Sequence, residues 1–181
     1  MKRILLLFIS ILMALSIQAQ VDHLKFMGIP ITGKISNFDK ILKQKGFRFK
    51  NKLDNDTRVY DGPFAGEDSQ IFVNFNNKTK NVYKVKVTIG YRSETNLKNG
   101  LDDFSYKLKQ KYNEDIIEES VENGRLALII KVYNKAIPLG LISLYSQEIS
   151  DVWSPYPYYI HIDYIDIDGY SLNNNSVMDD L

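Results

Sequence analysis

The chain has 181 residues, of which 23 are Lys or Arg and 22 are Asp or Glu, and it contains no cysteine. This balance lacks the basic surplus that marks nucleic-acid-binding proteins, so we exclude nucleic acid as a partner class. The absence of cysteine excludes disulfides and a thiol nucleophile, and the length fits one domain or two small ones.

The N-terminal segment has the three parts of a secretory signal. A basic lead, Met1–Arg3, precedes an apolar run over 4–17, and Ala19 provides the small residue that a signal peptidase requires. The run of about 14 residues is shorter than the roughly 20 that a membrane-spanning helix needs. A retained anchor or a buried helix is the alternative. We expect a signal peptide at 1–19, cleavage before Gln20, and a protein in the periplasm or outside the cell without a membrane anchor. The mature chain would carry 21 basic and 22 acidic residues, a formal charge of −1.

The first predicted unit spans 20–92 and combines one helix with four strands. Residues 36–46 predict the helix, with Ser36 as its N-cap and Gly46 as the left-handed residue after its end. Its apolar side chains have i, i+3, i+4 spacing: Phe38, Ile41 and Leu42. Strands are predicted at 47–53, 57–60, 70–75 and 83–91, and residues 61–66 separate the second from the third. The last strand alternates apolar residues with Lys84, Lys86 and Thr88, which predicts one packed and one solvated face.

The second predicted unit spans 93–170 and repeats this order of elements. A helix at 93–112 has an apolar stripe, and Gly100 within it indicates a close approach to the sheet. An apolar run at 126–130 predicts a strand buried on both faces, and the Asn- and Asp-rich residues 171–181 predict a disordered tail. Strands are predicted at 116–121, 125–133, 139–145 and 158–167, with Asn123-Gly124 as the turn between the first two.

A repeated tetrapeptide supports this division. Leu-Lys-Gln-Lys occurs at 42–45 and at 108–111, and a phenylalanine precedes each copy by four residues. With the repeated order of elements, this favours two tandem helix-plus-four-strand units. The predicted fold class is α+β, with antiparallel sheet, helices packed on one face and the other face free for contacts. A single α+β domain without internal duplication is the alternative.

The run over 26–33, Phe-Met-Gly-Ile-Pro-Ile-Thr-Gly, is followed by Lys45-Gly46-Phe47 and by Phe64-Ala65-Gly66. This pattern resembles the opening of small exported α+β proteins from Bacteroidetes-type bacteria, over about the first third of the mature chain. The resemblance implies a secreted or periplasmic α+β protein and transfers no catalytic residue. The paired-unit layout alone is similar to the β-lactamase-inhibitory-protein class, which binds other proteins across a concave sheet, although a shared layout does not imply a shared function.

The sequence offers few groups for catalysis. Its histidines are His23, near the predicted mature terminus, and His161, and no Gly-x-Ser-x-Gly nucleophile elbow occurs. His161 shares a strand face with Tyr159 and Asp163, so a metal-dependent hydrolase using His161 and Asp163 is an alternative function, although zinc would need a third protein ligand. The run that ends at Gly169 lacks the acids that an EF-hand requires at loop positions 1 and 12. We therefore predict no enzymatic activity, no metal and no cofactor.

The segment from 153 to 159 is the strongest candidate for a binding site. Trp and Tyr combine a large contact area with a polar group, as in binding hot spots, and Pro155 and Pro157 stiffen the segment. Alternatively, these rings cover the protein's own core. We predict an exported, non-enzymatic binding module whose ligand is a protein or a glycan of the cell envelope, with a structural envelope component as a further alternative. The predicted binding residues are Trp153, Tyr156, Tyr158 and Tyr159.

Overall fold

The computed structural model describes residues 23–113, 115–122, 125–149 and 154–171. The predicted signal peptide, the Asn123-Gly124 turn, Trp153 and residues 172–181 of the predicted tail lie outside this part of the chain. Two helices, α1 (Ile35–Gln44) and α2 (Glu94–Lys111), and a helical stretch at 167–171 are described. None of the helices in these ranges is both long and apolar enough to cross a membrane.

The described residues form ten β-strands in two antiparallel sheets. A short hairpin pairs β1 (Lys25–Phe26) with β2 (Ile29–Pro30). The other eight strands form one sheet. They are β3 (Arg48–Lys52), β4 (Thr57–Phe64), β5 (Glu67–Phe75), β6 (Val82–Tyr91), β7 (Ile116–Glu122), β8 (Arg125–Asn134), β9 (Ile137–Glu148) and β10 (Tyr158–Asp166). The prediction of an α+β protein with antiparallel sheet is confirmed.

The large sheet consists of two four-strand meanders. The first, β3 to β6, follows α1, and the second, β7 to β10, follows α2. Across the sheet the order is β3-β4-β5-β6-β10-β9-β8-β7, so the last strands of the two meanders meet at the centre. There β6 and β10 pair antiparallel over eight residue pairs. The edges of the sheet are β3 and β7.

The central pairing sorts side chains onto two faces. Ile160 and Ile162 of β10 are fully buried in the hydrophobic core. His161 lies between these two isoleucines in the sequence and is paired with Thr88 of β6. Asp163 follows Ile162 and is on the same side of β10 as His161. Since opposed residues of antiparallel strands project from the same side of a sheet, we call the side that carries these polar residues the His161 face.

Helix α1 ends as predicted but begins differently. Gly46 has a φ of 91°, and the backbone N–H groups of Gly46 and Phe47 donate to carbonyl oxygens of the last helical turn. This is the Schellman arrangement that favours glycine. The N-cap predicted at Ser36 is wrong, because the buried Ile35 is already helical and the extended Lys34 precedes it without a side-chain cap.

Helix α2 carries the predicted apolar stripe. Ser93 caps it by accepting a hydrogen bond from the N–H of Asn96 at 3.3 Å. At Gly100 an added Cβ would lie 2.5 Å from Tyr91 Oη and 3.0 Å from Ile160 Cδ1. The predicted close approach of Gly100 to the sheet is therefore confirmed. The buried residues of the helix are Leu97, Leu101, Phe104, Ser105 and Leu108.

The phenylalanine and the leucine of the repeated pattern are buried in both helices. Phe38 and Leu42 of α1, like Phe104 and Leu108 of α2, are buried in one hydrophobic cluster. Helix α1 is also tied to β4, because Asp39 accepts hydrogen bonds from Arg58 and Tyr60.

The segment 61–66, expected to separate two strands, is mostly strand itself. β4 continues through the first four of these residues, and the two-residue turn is made by Ala65 and Gly66, both at positive φ. Pro63 is compatible with this strand because β3 pairs with β4 only as far as Asp61, so the missing N–H lies beyond the paired part.

The strand pattern of β6 is confirmed, whereas that of β8 is not. In β6, Val85 and Val87 are buried and Lys86 between them is half-buried. In β8, Ile129 is 41% exposed although its neighbours Leu128 and Ile130 are buried. A continuous apolar run therefore did not mean burial on both faces, because Ile129 projects from the His161 face, opposite the core.

Replacing Gly100 with Ala should destabilise the protein, although Ala is favoured over Gly inside a helix by about 1 kcal/mol. The added methyl group would overlap Tyr91 and Ile160, and such overpacking costs about 1–3 kcal/mol. Urea unfolding measures the change, with Asn99→Ala at an exposed site of the same helix as the control. The control should be neutral or slightly more stable.

Tyr91→Phe provides the second arm of this test. Tyr91 Oη is buried without a hydrogen-bond partner among the described residues, so removing it should change stability little. It should also recover part of the loss in Gly100→Ala, because the hydroxyl is the atom nearest to the new methyl group. Stabilisation by Gly100→Ala alone would contradict the close contact between α2 and the sheet at this position.

Candidate functional site

The ring of Tyr156 packs over Gly90 of β6. An added Cβ at Gly90 would come within 2.6 Å of the Tyr156 ring, so the missing side chain makes room for the ring. The Arg92 guanidinium lies 6.0 Å from the ring centroid, within range of a cation–π contact. Ser154 Oγ donates a hydrogen bond to the Tyr156 carbonyl oxygen at 2.6 Å. The ring is thus half-buried and held in a defined position.

Tyr159 of β10 lies directly opposite Gly90 and contacts Tyr156. The two tyrosine rings meet edge to face, with centroids 6.4 Å apart and an angle of 81°. On its other side Tyr159 stacks on the imidazole of His161 at 6.2 Å and 7°. Its hydroxyl and that of Ser154 are 2.7 Å apart and share a hydrogen bond. Tyr159 therefore connects the 154–157 segment to the His161 face.

The four predicted binding residues do not form one site. Tyr156 and Tyr159 lie together, but Tyr158 is opposite Tyr91 on the other side of the sheet and packs against the hydrophobic core. The guanidinium of Arg125 lies 5.7 Å from the Tyr158 ring centroid. Trp153 lies outside the described residues.

A cavity of about 800 Å³ opens beside Tyr156 and Tyr159, and we call it the tyrosine groove. Its volume is within the range of ligand pockets. The side chains that line it include cationic, anionic, amide and hydroxyl groups, and none of the described lining residues is Leu, Ile, Val, Met or Phe. The lining residues are Gly46, Arg48, Asp61, Gly62, Pro63, Glu67, Asp68, Ser69, Gln70, Thr88, Gly90, Pro155, Tyr156 and Tyr159.

A row of polar side chains crosses the His161 face and enters the groove. Adjacent strands pair Arg48 with Asp61, Asp61 with Gln70, Gln70 with Thr88, Thr88 with His161, and His161 with Tyr145. We call these six residues the polar row. Neighbouring members are separated by one strand spacing, about 4.8 Å. The first four line the tyrosine groove.

Sequence reasoning missed Arg48, Asp61, Gln70 and Thr88. Each is a polar residue in a β-strand, which is common on a solvated face. Their alignment depends on the register of four strands, and no local pattern in the sequence specifies that register.

His161 lies in the polar row beside the groove and is 5% exposed. Its Nε2 is 3.0 Å from Gln147 Oε1 and its Nδ1 is 3.1 Å from Thr88 Oγ1. Since an amide oxygen accepts, Nε2 carries the proton, and Thr88 donates to Nδ1. Burial lowers the pKa of His161 to about 4; Lys86 and Lys84 act in the same direction, and Asp163 opposes them. The imidazole is therefore neutral at neutral pH, with both nitrogens engaged.

The neighbours of His161 on β10, β6 and β9 form a layer of polar and aromatic side chains. Asp163 Oδ2 is 3.0 Å from Lys84 Nζ, and Asp163 is 7% exposed. The ammonium of Lys86 lies 5.6 Å from the centroid of the Tyr145 ring, and that ring contacts His161 at 5.1 Å. Burial, with the nearby Asp163 carboxylate, raises the pKa of Tyr145.

The alternative of a metal-dependent hydrolase would require His161 and Asp163 to bind a metal ion together. The hydrogen-bond partners of His161 are Thr88 and Gln147, whereas Asp163 is paired with Lys84. The described part of the chain contains no group of three or more His, Cys, Asp or Glu side chains placed to hold a metal ion.

Comparison of the chain with protein-family models, curated proteins and solved structures finds no match.

The buried neutral state of His161 predicts a pH-dependent stability. Between the pKa of about 4 in the folded protein and about 6.5 in the unfolded chain, the unfolded chain binds more protons. The contribution of His161 is therefore complete above pH 6.5 and is lost as the pH falls towards 4, by about 3 kcal/mol in total. Urea unfolding between pH 4 and pH 7 measures this slope.

At pH 7 the His161→Gln variant should be less stable than the parent. Between pH 6.5 and pH 4, however, its free energy of unfolding should fall by about 3 kcal/mol less than that of the parent. Tyr106→Ala, at an exposed site of α2 remote from the histidine, serves as the control and should keep the slope of the parent. Identical slopes in His161→Gln and the parent would contradict the buried, neutral histidine.

Proposed function

We propose that this protein is an exported, non-enzymatic binding module that holds a glycan in the tyrosine groove. The single observation that carries the proposal is the chemistry of the groove. Two tyrosine rings lie beside a row of Arg, Asp, Gln and Thr side chains, and the described lining residues include no aliphatic side chain apart from proline. Sugars present hydroxyl groups that both donate and accept hydrogen bonds, and C–H faces that pack on aromatic rings. The lining supplies both kinds of contact.

The spacing of the polar row supports an extended ligand. Its rungs are about 4.8 Å apart, which is comparable with the length of one sugar unit in an extended chain. Arg48, Asp61, Gln70 and Thr88 would each face a successive part of such a chain, with Tyr159 at the end of the groove.

A protein is the other ligand class. The buried centres of protein–protein interfaces are depleted of charge and enriched in apolar and aromatic residues. Among the described lining residues, the charged Arg48, Asp61, Glu67 and Asp68 accompany two aromatic rings. The groove therefore favours a polyhydroxyl ligand over a protein hot spot.

We also propose that the fold consists of two tandem helix-plus-four-strand units with both helices on the face opposite the groove. Contacts that support this are those of Asp39 in α1 with Arg58 and Tyr60, and of Gly100 in α2 with Ile160. The matched order of strands in the two meanders supports it as well. In this arrangement the His161 face is the side that remains available to a ligand.

Tyr156→Ala should weaken glycan binding by roughly tenfold or more, the loss typical of an aromatic hot spot. Binding is measured by a glycan microarray and then by calorimetry with the oligosaccharides that bind. Gln70→Ala should weaken binding by removing one rung of the polar row. Tyr106→Ala is the matched control, because Tyr106 is 65% exposed on α2 and does not line the groove.

Gly90→Ala tests the same site without changing a lining side chain, since its methyl group would displace the Tyr156 ring. It should lower affinity while the protein remains folded by circular dichroism. Unchanged affinity in Tyr156→Ala and Gln70→Ala would refute the groove as the site. Capture of an envelope protein that these variants lose, with no glycan bound, would assign the ligand to the protein class.

The proposed export makes a separate prediction. When the full chain is produced in a Gram-negative bacterium, the exported protein should begin at Gln20, because signal peptidase would cleave after Ala19. N-terminal sequencing and intact mass measure this. Ala19→Asp, which removes the small residue at the cleavage site, should leave the precursor uncleaved, and recovery of an intact N-terminus from the parent chain would contradict the prediction.

A further inference from the structure

A second cavity, of about 790 Å³, lies apart from the tyrosine groove. It is bounded by the N-terminal hairpin at His23–Lys25, by the end of α2 at Lys111 and Tyr112, and by the β8–β9 hairpin at 132–135. Its volume is also within the range of small-molecule sites. We call it the basic cavity.

The interior of the basic cavity is apolar. Leu24 and Val132 are buried, and Leu139 is half-buried and packs against the core. Tyr112 and Tyr133 add two aromatic rings to the lining. Burial, with a smaller effect of Asp115, raises the pKa of Tyr112 to about 12, so this ring is neutral at any physiological pH. These surfaces suit an apolar ligand body.

The rim of the basic cavity is cationic. Lys25, Lys111 and Lys135 line it together with His23, and no Asp or Glu is among the described lining residues. The ammonium of Lys111 lies 5.0 Å from the centroid of the Tyr112 ring. None of the three lysines pairs with a carboxylate of the described residues. Elsewhere in the fold, Lys50, Lys84 and Lys107 each pair with an aspartate.

Among the described residues, two acids that contact the lining, Asp115 and Asp166, are already engaged. Asp115 accepts a hydrogen bond from the Tyr133 N–H at 2.9 Å. Asp166 is buried, accepts from the N–H groups of Leu24 and Gly169 at 3.3 and 3.0 Å, and lies 3.5 Å from His23 Nδ1, so His23 is the one basic residue of the rim with a carboxylate beside it among the described residues. Among the described residues, three lysines therefore line one opening without a carboxylate in the lining, an arrangement that attracts an anion.

We propose that the basic cavity binds an amphiphilic organic anion, with its carboxylate, phosphate or sulfate group at the lysines of the rim. The apolar body would lie on Leu139 and Val132 between the two tyrosine rings. Burial of that body provides affinity, and the lysines select for an anionic head group. The site is independent of the tyrosine groove, so the failure of either proposal leaves the other intact.

Octanoate is the probe, and calorimetry of the full chain in low salt measures its binding. Two matched compounds separate the contributions: 1-octanol has the body without the charge, and inorganic phosphate has charge without the body. Both should bind at least tenfold more weakly than octanoate. Raising the salt concentration should weaken octanoate but not octanol, since salt screens exposed charges.

The variants Lys111→Gln and Lys135→Gln should each weaken octanoate roughly two- to fivefold, and the double variant roughly tenfold, as expected for partly exposed ion pairs. Lys98→Gln, at an exposed site of α2 away from the cavity, is the control and should bind like the parent. Unchanged affinity in the double variant, phosphate binding as tight as octanoate, or no octanoate binding at millimolar concentration would overturn the proposal.

Discussion

The pairing of β6 with β10 determines the rest of the structure. It joins two meanders whose central strands are separated by more than 60 residues in sequence, and its register decides which side chains reach the core. With Ile162 opposite Val87, both are buried; with His161 opposite Thr88, both project from the other side. A slip of one residue would place His161 in the apolar core and an isoleucine on the polar face. The buried histidine, satisfied at both nitrogens, thus helps to specify this register.

The same register builds the tyrosine groove. Tyr159 is paired with Gly90, which has no side chain. The ring of Tyr156 occupies the space that a side chain at Gly90 would fill, next to Tyr159. The groove opens next to this pair, and β3, β4 and β5 supply its charged and amide groups. Gly90 therefore connects the central pairing to the position of the aromatic segment, together with the contacts of Tyr156 with Tyr159 and Arg92.

Local patterns predicted the elements but not their lateral arrangement. The stripe of α2, the Gly46 helix end and the alternation in β6 depend on residues close in sequence, and all three were predicted correctly. The burial of Ile129 was predicted wrongly, because an apolar run does not show which face of a strand meets the core. The polar row was not predicted at all, since it aligns single residues from six strands. Of the predicted aromatic site, Tyr156 and Tyr159 lie together, and strand alternation alone would have placed Tyr158 on the other face.

The centre of the His161 face is polar, yet it is a poor place for a ligand. Lys84 pairs with Asp163 Oδ2, and Tyr145 and Tyr159 both contact the His161 ring, so these groups are already engaged, whereas Asp163 Oδ1 is buried without a hydrogen-bond partner among the described residues. A ligand at that position would have to break these contacts and desolvate a lysine, which costs more than a few new hydrogen bonds return. At the groove end, Arg48 is exposed and Gln70 is half-buried, so their hydrogen-bonding groups still meet water. The proposed ligand would therefore bind this face at the groove, where it would displace water instead of internal partners.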